Sequence, residues 1–153
     1  LVSKKQQEKV KEYIEIGIKE GANLVTGGSA DPSNIEKGFY VQPTIFANVD
    51  NSMTIAREEI FGPVLCIIGY NNLNDAVDIA NDTIYGLSGY VSGENIDEVR
   101  KVASSLKTGM VHINYAPLDQ SAPFGGYKMS GNGKEWGAYG IEDFLETKAI
   151  MSK

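Results

Sequence analysis

The residues able to do covalent chemistry are few enough to consider one by one. A thiol nucleophile needs cysteine, and the chain has one, Cys66. A Ser–His or Cys–His pair needs histidine, and there is one, His112. Cys66 lies between Leu65 and Ile67 in the apolar run "VLCIIGY". A reactive thiol needs access and a positive or hydrogen-bonding environment, and nothing adjacent supplies either. Inert packing in a strand buried on both faces is the expectation. His112 sits in "MVHIN", also expected to be a core strand, with no G-x-S-x-G nucleophile motif in the chain to pair with it. A structural histidine is expected there. One His and one buried Cys do not make a zinc site.

Two further stretches invite attention. "SGNGKEWG" spaces its glycines as G-x-G-x-x-x-G, with Trp136 where a dinucleotide loop would have its third glycine. Glu follows the Gly-Lys pair, so it is not a P-loop either. A flexible turn is expected. In "REEIFGPVLC" (57–66) an arginine and two carboxylates run directly into Phe-Gly-Pro and the apolar run. Gly62-Pro63 suits a turn. Glu58, Glu59 and Phe61 then end a helix and pack, or they meet a ligand. The residues alone leave both open.

The elements that must position these groups follow from periodicity. Val10, Tyr13, Ile14 and Ile18 recur at helical spacing, with Gly21 as a stop. "NLVTGG" reads as a short strand and turn, and 29–38 as a polar surface loop. "FYVQPTIFANV" is strand-like, with Pro43 marking an irregular or edge position. From residue 64 the rhythm is strand, helix, strand, helix, strand. Asn72 caps a helix whose face is Leu73, Ala76, Val77 and Ala80. Asn95 caps another, with Asp97 and Glu98 in its first turn. Its face is Ile96, Val99, Val102, Ala103 and Leu106. The pattern predicts an α/β fold, a parallel sheet with flanking helices and right-handed crossovers. After Asn114 comes a long segment rich in glycine, of the kind more often functional than structural. "FLETKAIMSK" reads as a last strand.

Composition narrows the function classes. There are 153 residues, 42% of them hydrophobic, and the net charge is −6 from 14 basic and 20 acidic groups. An acidic chain without a basic run argues against nucleic acid or an anionic membrane as partner. No apolar run approaches the ~20 residues of a membrane span. One cysteine excludes an internal disulfide and fits a reducing cytoplasm. The N-terminus "LVSKKQQEKVKEY" has no apolar core, so no signal peptide is expected, and with no initiating Met the expectation is a chain that is processed, cut or begun mid-protein.

"EEIFGPV" together with "PFGGYKMSGNGKE" closely resembles the NAD(P)-dependent aldehyde dehydrogenase superfamily. "YIEIGIKEGANLVTGG", "GFYVQPTIF", "ANDTIYGLSGYV" and "GMVHIN" resemble it too, in the family's order and over essentially the whole chain. The resemblance implies oxidation of aldehydes to carboxylic acids through a cysteine thiohemiacetal, with NAD or NADP as hydride acceptor. It implies that residues 1–143 are the C-terminal portion of the catalytic domain and 144–153 an oligomerisation strand. The family's nucleophilic cysteine, general-base glutamate, oxyanion-stabilising asparagine and dinucleotide-binding domain would all precede this segment. No catalytic residue is therefore expected here, and the chain alone should be inactive.

The same resemblance implies a cofactor-binding role for two residues of "EEIFGP". Glu59 would hydrogen-bond the hydroxyls of the nicotinamide ribose, since two acceptor oxygens suit two donors. Phe61 would lie against the nicotinamide region. Phe124, in "PFGG", would be substrate-binding, lining the aldehyde tunnel, with the loop 115–118 bordering it. The partners implied are an aldehyde and further copies of the chain, in the cytoplasm. Where many members have Arg in "SGxGRE", this chain has Lys134, which cannot make the bidentate fork, so any ion pair there should be looser. A rival reading is a stand-alone, non-catalytic module of the same fold, serving assembly or ligand binding.

Overall fold

The computed structural model describes every residue except Asn34 and Glu36, which fall in the polar loop expected at 29–38. The described chain divides into two compact units, 1–71 and 72–153.

The first unit is built on helix α1, Lys4–Lys19. The Ser3 hydroxyl accepts from the Gln6 N–H and caps it. Val10, Ile14 and Gly17 recur at the spacing that faces one side, and all three are buried. Gly21 ends the helix with φ at +94°. Strands β1 (Asn23–Thr26), β2 (Thr44–Ala47) and β3 (Val64–Cys66) form a sheet in the order β1-β2-β3. β1 runs antiparallel to β2 with a register shift between Leu24 and Thr26. β2 runs parallel to β3, with Ile45 opposite Leu65. Pro43 sits one residue ahead of β2, outside the ladder, where its missing N–H costs nothing. Short helix α2, Thr54–Arg57, precedes the acidic pair. Its first N–H, on Thr54, donates to the Glu20 carboxylate at 2.8 Å, and so does the Thr54 hydroxyl at 2.6 Å. The core is Phe46, Ile14 and Val10, fully buried, with Val41, Val49, Ile55 and Ile60 around them.

In the second unit α3, Leu73–Asn81, is capped by the Asn72 side chain, which accepts from the Asp75 N–H at 3.0 Å. α4, Ile96–Ser105, is capped by Asn95, which accepts from Asp97 and Glu98. β4 (Ser88–Val91) and β5 (Met110–Ile113) pair in parallel across α4, with Tyr90 opposite His112. Val99 of α4 is buried, whereas none of α3 is, and Leu73 is exposed.

Two expectations are corrected. The strand at residue 64 does not continue one ladder into the two that follow: it pairs with β2, and β4 and β5 form a separate sheet among the described residues. Nor is it buried on both faces. Val64, Cys66 and Ile68 pack on the first unit's core, while Leu65 and Ile67 point the other way and are 57% and 48% exposed. Side chains alternate across a strand, and a continuous apolar run does not tell whether one face or two is covered. Residues 145–153, the expected oligomerisation strand, are exposed and join no ladder among the described residues. Among those residues, no helix is long and apolar enough to cross a membrane.

Candidate functional site

The acidic loop of the first unit is carried by one face of α1. Gln6, Lys9, Val10 and Tyr13 fall at i, i+3, i+4 and i+7, and each touches it. Tyr13 donates its hydroxyl proton to the Glu58 carboxylate at 2.6 Å. Lys9 donates to the Glu59 carbonyl at 3.3 Å, and its ammonium lies 5.4 Å from the Tyr13 ring centroid. The Gln6 amide donates to the carbonyls of Ile60 and Phe61, both at 3.1 Å. Gly62 lies against Val10 so closely that a Cβ there would stand 2.6 Å from a valine methyl. Ile60 is buried in the core.

This anchoring separates the two carboxylates, which the bare sequence cannot. Glu58 is tied down by Tyr13. Glu59 is exposed, and among the described residues its carboxylate has no hydrogen-bond or ion-pair partner. Two acceptor oxygens are thus held out on a fixed backbone, ready for a pair of hydroxyl donors. Next to it Phe61 is 72% exposed and has φ at +57°, the left-handed region that a residue with a Cβ seldom occupies. A large apolar ring presented in a strained conformation is a common mark of a ligand contact.

The glycine-rich segment of the second unit is a hydrogen-bonded structure, not the flexible turn expected. Phe124 and Glu135 exchange both backbone bonds at 2.7 Å, joining "PFGG" to "GKEWG". Tyr127 N–H donates to Gly86 at 2.7 Å, and Gly86 N–H donates to the Ser130 hydroxyl at 3.0 Å. Lys128 donates to the carbonyls of Asn81 and Thr83, at the C-terminal end of α3, both at 2.9 Å. Gly109 meets the Gly125 carbonyl so closely that any side chain there would overlap it. Phe124 is half-buried, with its ring 5.0 Å from that of Trp136. It borders a cleft of about 340 Å³ with Leu87, Lys134, Glu135, Asp143 and Phe144. Trp136, read from sequence only as a failed glycine, is the ring contact of Phe124. Lys134 makes no ion pair among the described residues: its ammonium donates to the Gly126 carbonyl at 2.7 Å and lies over the Tyr127 ring.

Cys66 and His112 take structural places. The Cys66 thiol donates to the Ile55 carbonyl at 3.5 Å, and burial pushes its pKa up, away from thiolate. The His112 ring stacks on Tyr90 at 4.8 Å, and its Nδ1 lies 2.8 Å from the Ala116 carbonyl. A carbonyl only accepts, so Nδ1 carries the proton. That bond holds the start of the 115–118 loop, where Tyr115 is 88% exposed. Among the described residues no three of His, Cys, Asp or Glu cluster as metal ligands.

The chain is 58% identical over 151 residues to a 3-succinoylsemialdehyde-pyridine dehydrogenase of a Pseudomonas species, covering 99% of this chain and 32% of that protein. It is 57% identical to a putative aldehyde dehydrogenase of Staphylococcus aureus, covering 98% of this chain and again 32% of the relative. Among solved structures, aldehyde dehydrogenase C of Pseudomonas syringae, a mutant in complex with NAD+ and octanal, superimposes with a TM-score of 0.95 at 53% identity. The match covers 98% of this chain and 31% of that one. A Mycobacterium tuberculosis aldehyde dehydrogenase complexed with NAD+ gives 0.90 at 50% identity, covering 94% and 30%. The chain therefore spans about a third of the length of the relatives it matches. The aldehyde dehydrogenase family itself matches residues 1–150. With nearly the whole segment in register, the acidic loop and the glycine-rich loop included, the chain belongs to the aldehyde dehydrogenase family.

Proposed function

We propose that these residues are the C-terminal portion of the catalytic domain of an NAD(P)-dependent aldehyde dehydrogenase, and that they hold the cofactor and border the aldehyde site. The cofactor, when bound, supplies the acceptor for the aldehyde's hydride. In this reading Glu59 binds the two hydroxyls of the nicotinamide ribose, Phe61 flanks the nicotinamide ring, and Phe124 borders the aldehyde. The observation that carries the reading is the isolation of the Glu59 carboxylate. Its loop is tied to α1 at Glu58, Glu59, Ile60 and Phe61, yet among the described residues its own two oxygens are left over. A vicinal diol has the two donors they lack. The relatives solved with NAD+, one of them also with octanal, support the same ligand classes here.

The chain's own thiol does not suit the nucleophile's role. Cys66 is half-buried, bonded to a carbonyl and shifted toward the neutral form. The nucleophile and general base then come from outside these 153 residues, and the chain alone is inactive. The whole enzyme is cytoplasmic and a homo-oligomer in this reading, with the exposed tail 144–153 adding a strand to a neighbouring copy.

Kinetics of Glu59→Gln in the full-length enzyme test the proposal. The substitution keeps shape and removes charge. Loss of charge-assisted bonds costs about 1.5–3 kcal/mol, a roughly ten- to hundredfold fall in cofactor affinity or hydride-transfer rate. Wild-type kinetics for the variant would refute the role. Clear turnover by the 153-residue chain, lost in Cys66→Ala, would refute the placement of the nucleophile elsewhere and leave a complete small enzyme in its place.

A further inference from the structure

The acidic loop contains one feature that the cofactor reading does not itself require. A single nitrogen, Gln6 Nε2, donates to two consecutive carbonyls, those of Ile60 and Phe61, each at 3.1 Å. In an extended chain, successive carbonyls point to opposite sides, and one donor cannot take both. They come round to the same side only when the residue between the two peptide units adopts a helical sense. That residue is Phe61, and it stands in the left-handed region, φ +57°, which its Cβ disfavours. The paired amide bonds and the strained backbone are thus one device. The donor is itself placed in advance: Gln6 is half-buried on the first turn of α1, and its N–H is bonded to the capping hydroxyl of Ser3 at 3.2 Å.

We propose that Gln6 is a positioning residue: it locks Phe61 in the left-handed conformation and so fixes, before any ligand arrives, the directions in which Glu59 and Phe61 leave the loop. The inference rests on the cofactor reading of those two residues. Without the Gln6 donors, the two carbonyls turn to water, and Phe61 relaxes toward extended conformations that suit its Cβ. The loop then samples geometries in which Glu59 no longer faces the ribose hydroxyls, and binding weakens by the share of time spent in them.

Two variants of the full-length enzyme separate this from general damage. Gln6→Met keeps the length and removes the donors. Gln6→Glu sets a carboxylate against two carbonyl oxygens. For each, amide deuterium uptake is measured without cofactor at Glu58 and Val64, which bracket the clamp and bond Thr54 and Gly62. The dissociation constant for NAD+ is measured alongside, with Glu59→Gln in parallel. Faster uptake at the two amides and roughly five- to tenfold weaker NAD+ binding, the change that loss of one net hydrogen bond gives, are expected in both variants. Unchanged uptake overturns the lock, whatever happens to binding. Faster uptake with unchanged NAD+ affinity, while Glu59→Gln weakens it, overturns the positioning role. If Glu59→Gln itself leaves binding unchanged, the cofactor reading has failed, and the positioning role falls with it.

Discussion

Gly62 offers a quantitative check on the claim that α1 carries the acidic loop. A Cβ at Gly62 would stand 2.6 and 2.8 Å from the two methyls of Val10 and 3.3 Å from its Cβ. Carbon atoms pack best at about 3.5–4.0 Å. Gly62→Ala therefore demands a displacement of the loop or the helix by most of an ångström. Val10 is fully buried, with 0% exposure, and has nowhere to go. Overpacking of this kind costs about 1–3 kcal/mol. Val10→Ala removes both clashing methyls and costs about 2–3 kcal/mol by itself, from lost burial and the cavity left behind. In the double variant the two methyl clashes are gone, so the costs should not add. Urea midpoints for the two single variants and the pair should give a coupling of about 1–3 kcal/mol in the relieving direction. NAD+ affinity should fall in Gly62→Ala and recover at least in part in the double variant. Additive costs, or a silent Gly62→Ala, would refute the contact between the loop and α1.

The remaining predictions concern the thiol and the tail. Iodoacetamide should label Cys66 slowly near neutral pH and quickly once urea exposes it, with Cys66→Ala leaving the activity of the full-length enzyme intact; fast labelling of Cys66 in the native protein would contradict its burial. A folded pKa raised by burial means that the native state holds this proton more tightly than the unfolded chain. Its stabilisation is therefore present below the ordinary thiol value, roughly 8.5, and is lost as pH rises through the higher folded value; Cys66→Ala should lose that part of the alkaline decline. Phe144, Ile150 and Met151 are 83%, 88% and 89% exposed, so removing residues 144–153 should lower the oligomeric state in light scattering. An intact chain that is already monomeric would contradict the role of the tail.

Much of the framework was legible in the residues themselves. Asn72 and Asn95 cap their helices because their side chains replace missing backbone acceptors, a local effect that sequence carries. The helical stripe through Val10 and Ile14 is equally local and reappears as the buried face of α1. Sheet membership is not local. The run "VLCIIGY" looks the same whether its neighbour is β2 or β4, and only the three-dimensional pairing decides. The same holds for which face of Leu65 and Ile67 is covered. At the site, the family motifs pointed to Glu59, Phe61 and Phe124. The surrounding bonds were hidden because they join distant positions: Tyr13 with Glu58, Gln6 with Phe61, Gly109 with Gly125. Gln6 and Tyr13 sit seven residues apart on one helix face, a spacing that could have marked them as a pair, but nothing in it names the loop they hold. Trp136 broke a glycine pattern, and a broken pattern does not show that its ring would meet Phe124.

The most direct test of the account is a structure of the full-length protein with NAD+ bound. The account predicts both Glu59 carboxylate oxygens within hydrogen-bond distance of the nicotinamide ribose hydroxyls, about 2.5–3.0 Å for O–H to O. Phe61 should still be left-handed beneath the Gln6 amide, with its ring against the nicotinamide. A bound cofactor whose ribose hydroxyls are taken by other groups, with the Glu59 carboxylate turned to solvent, would contradict it.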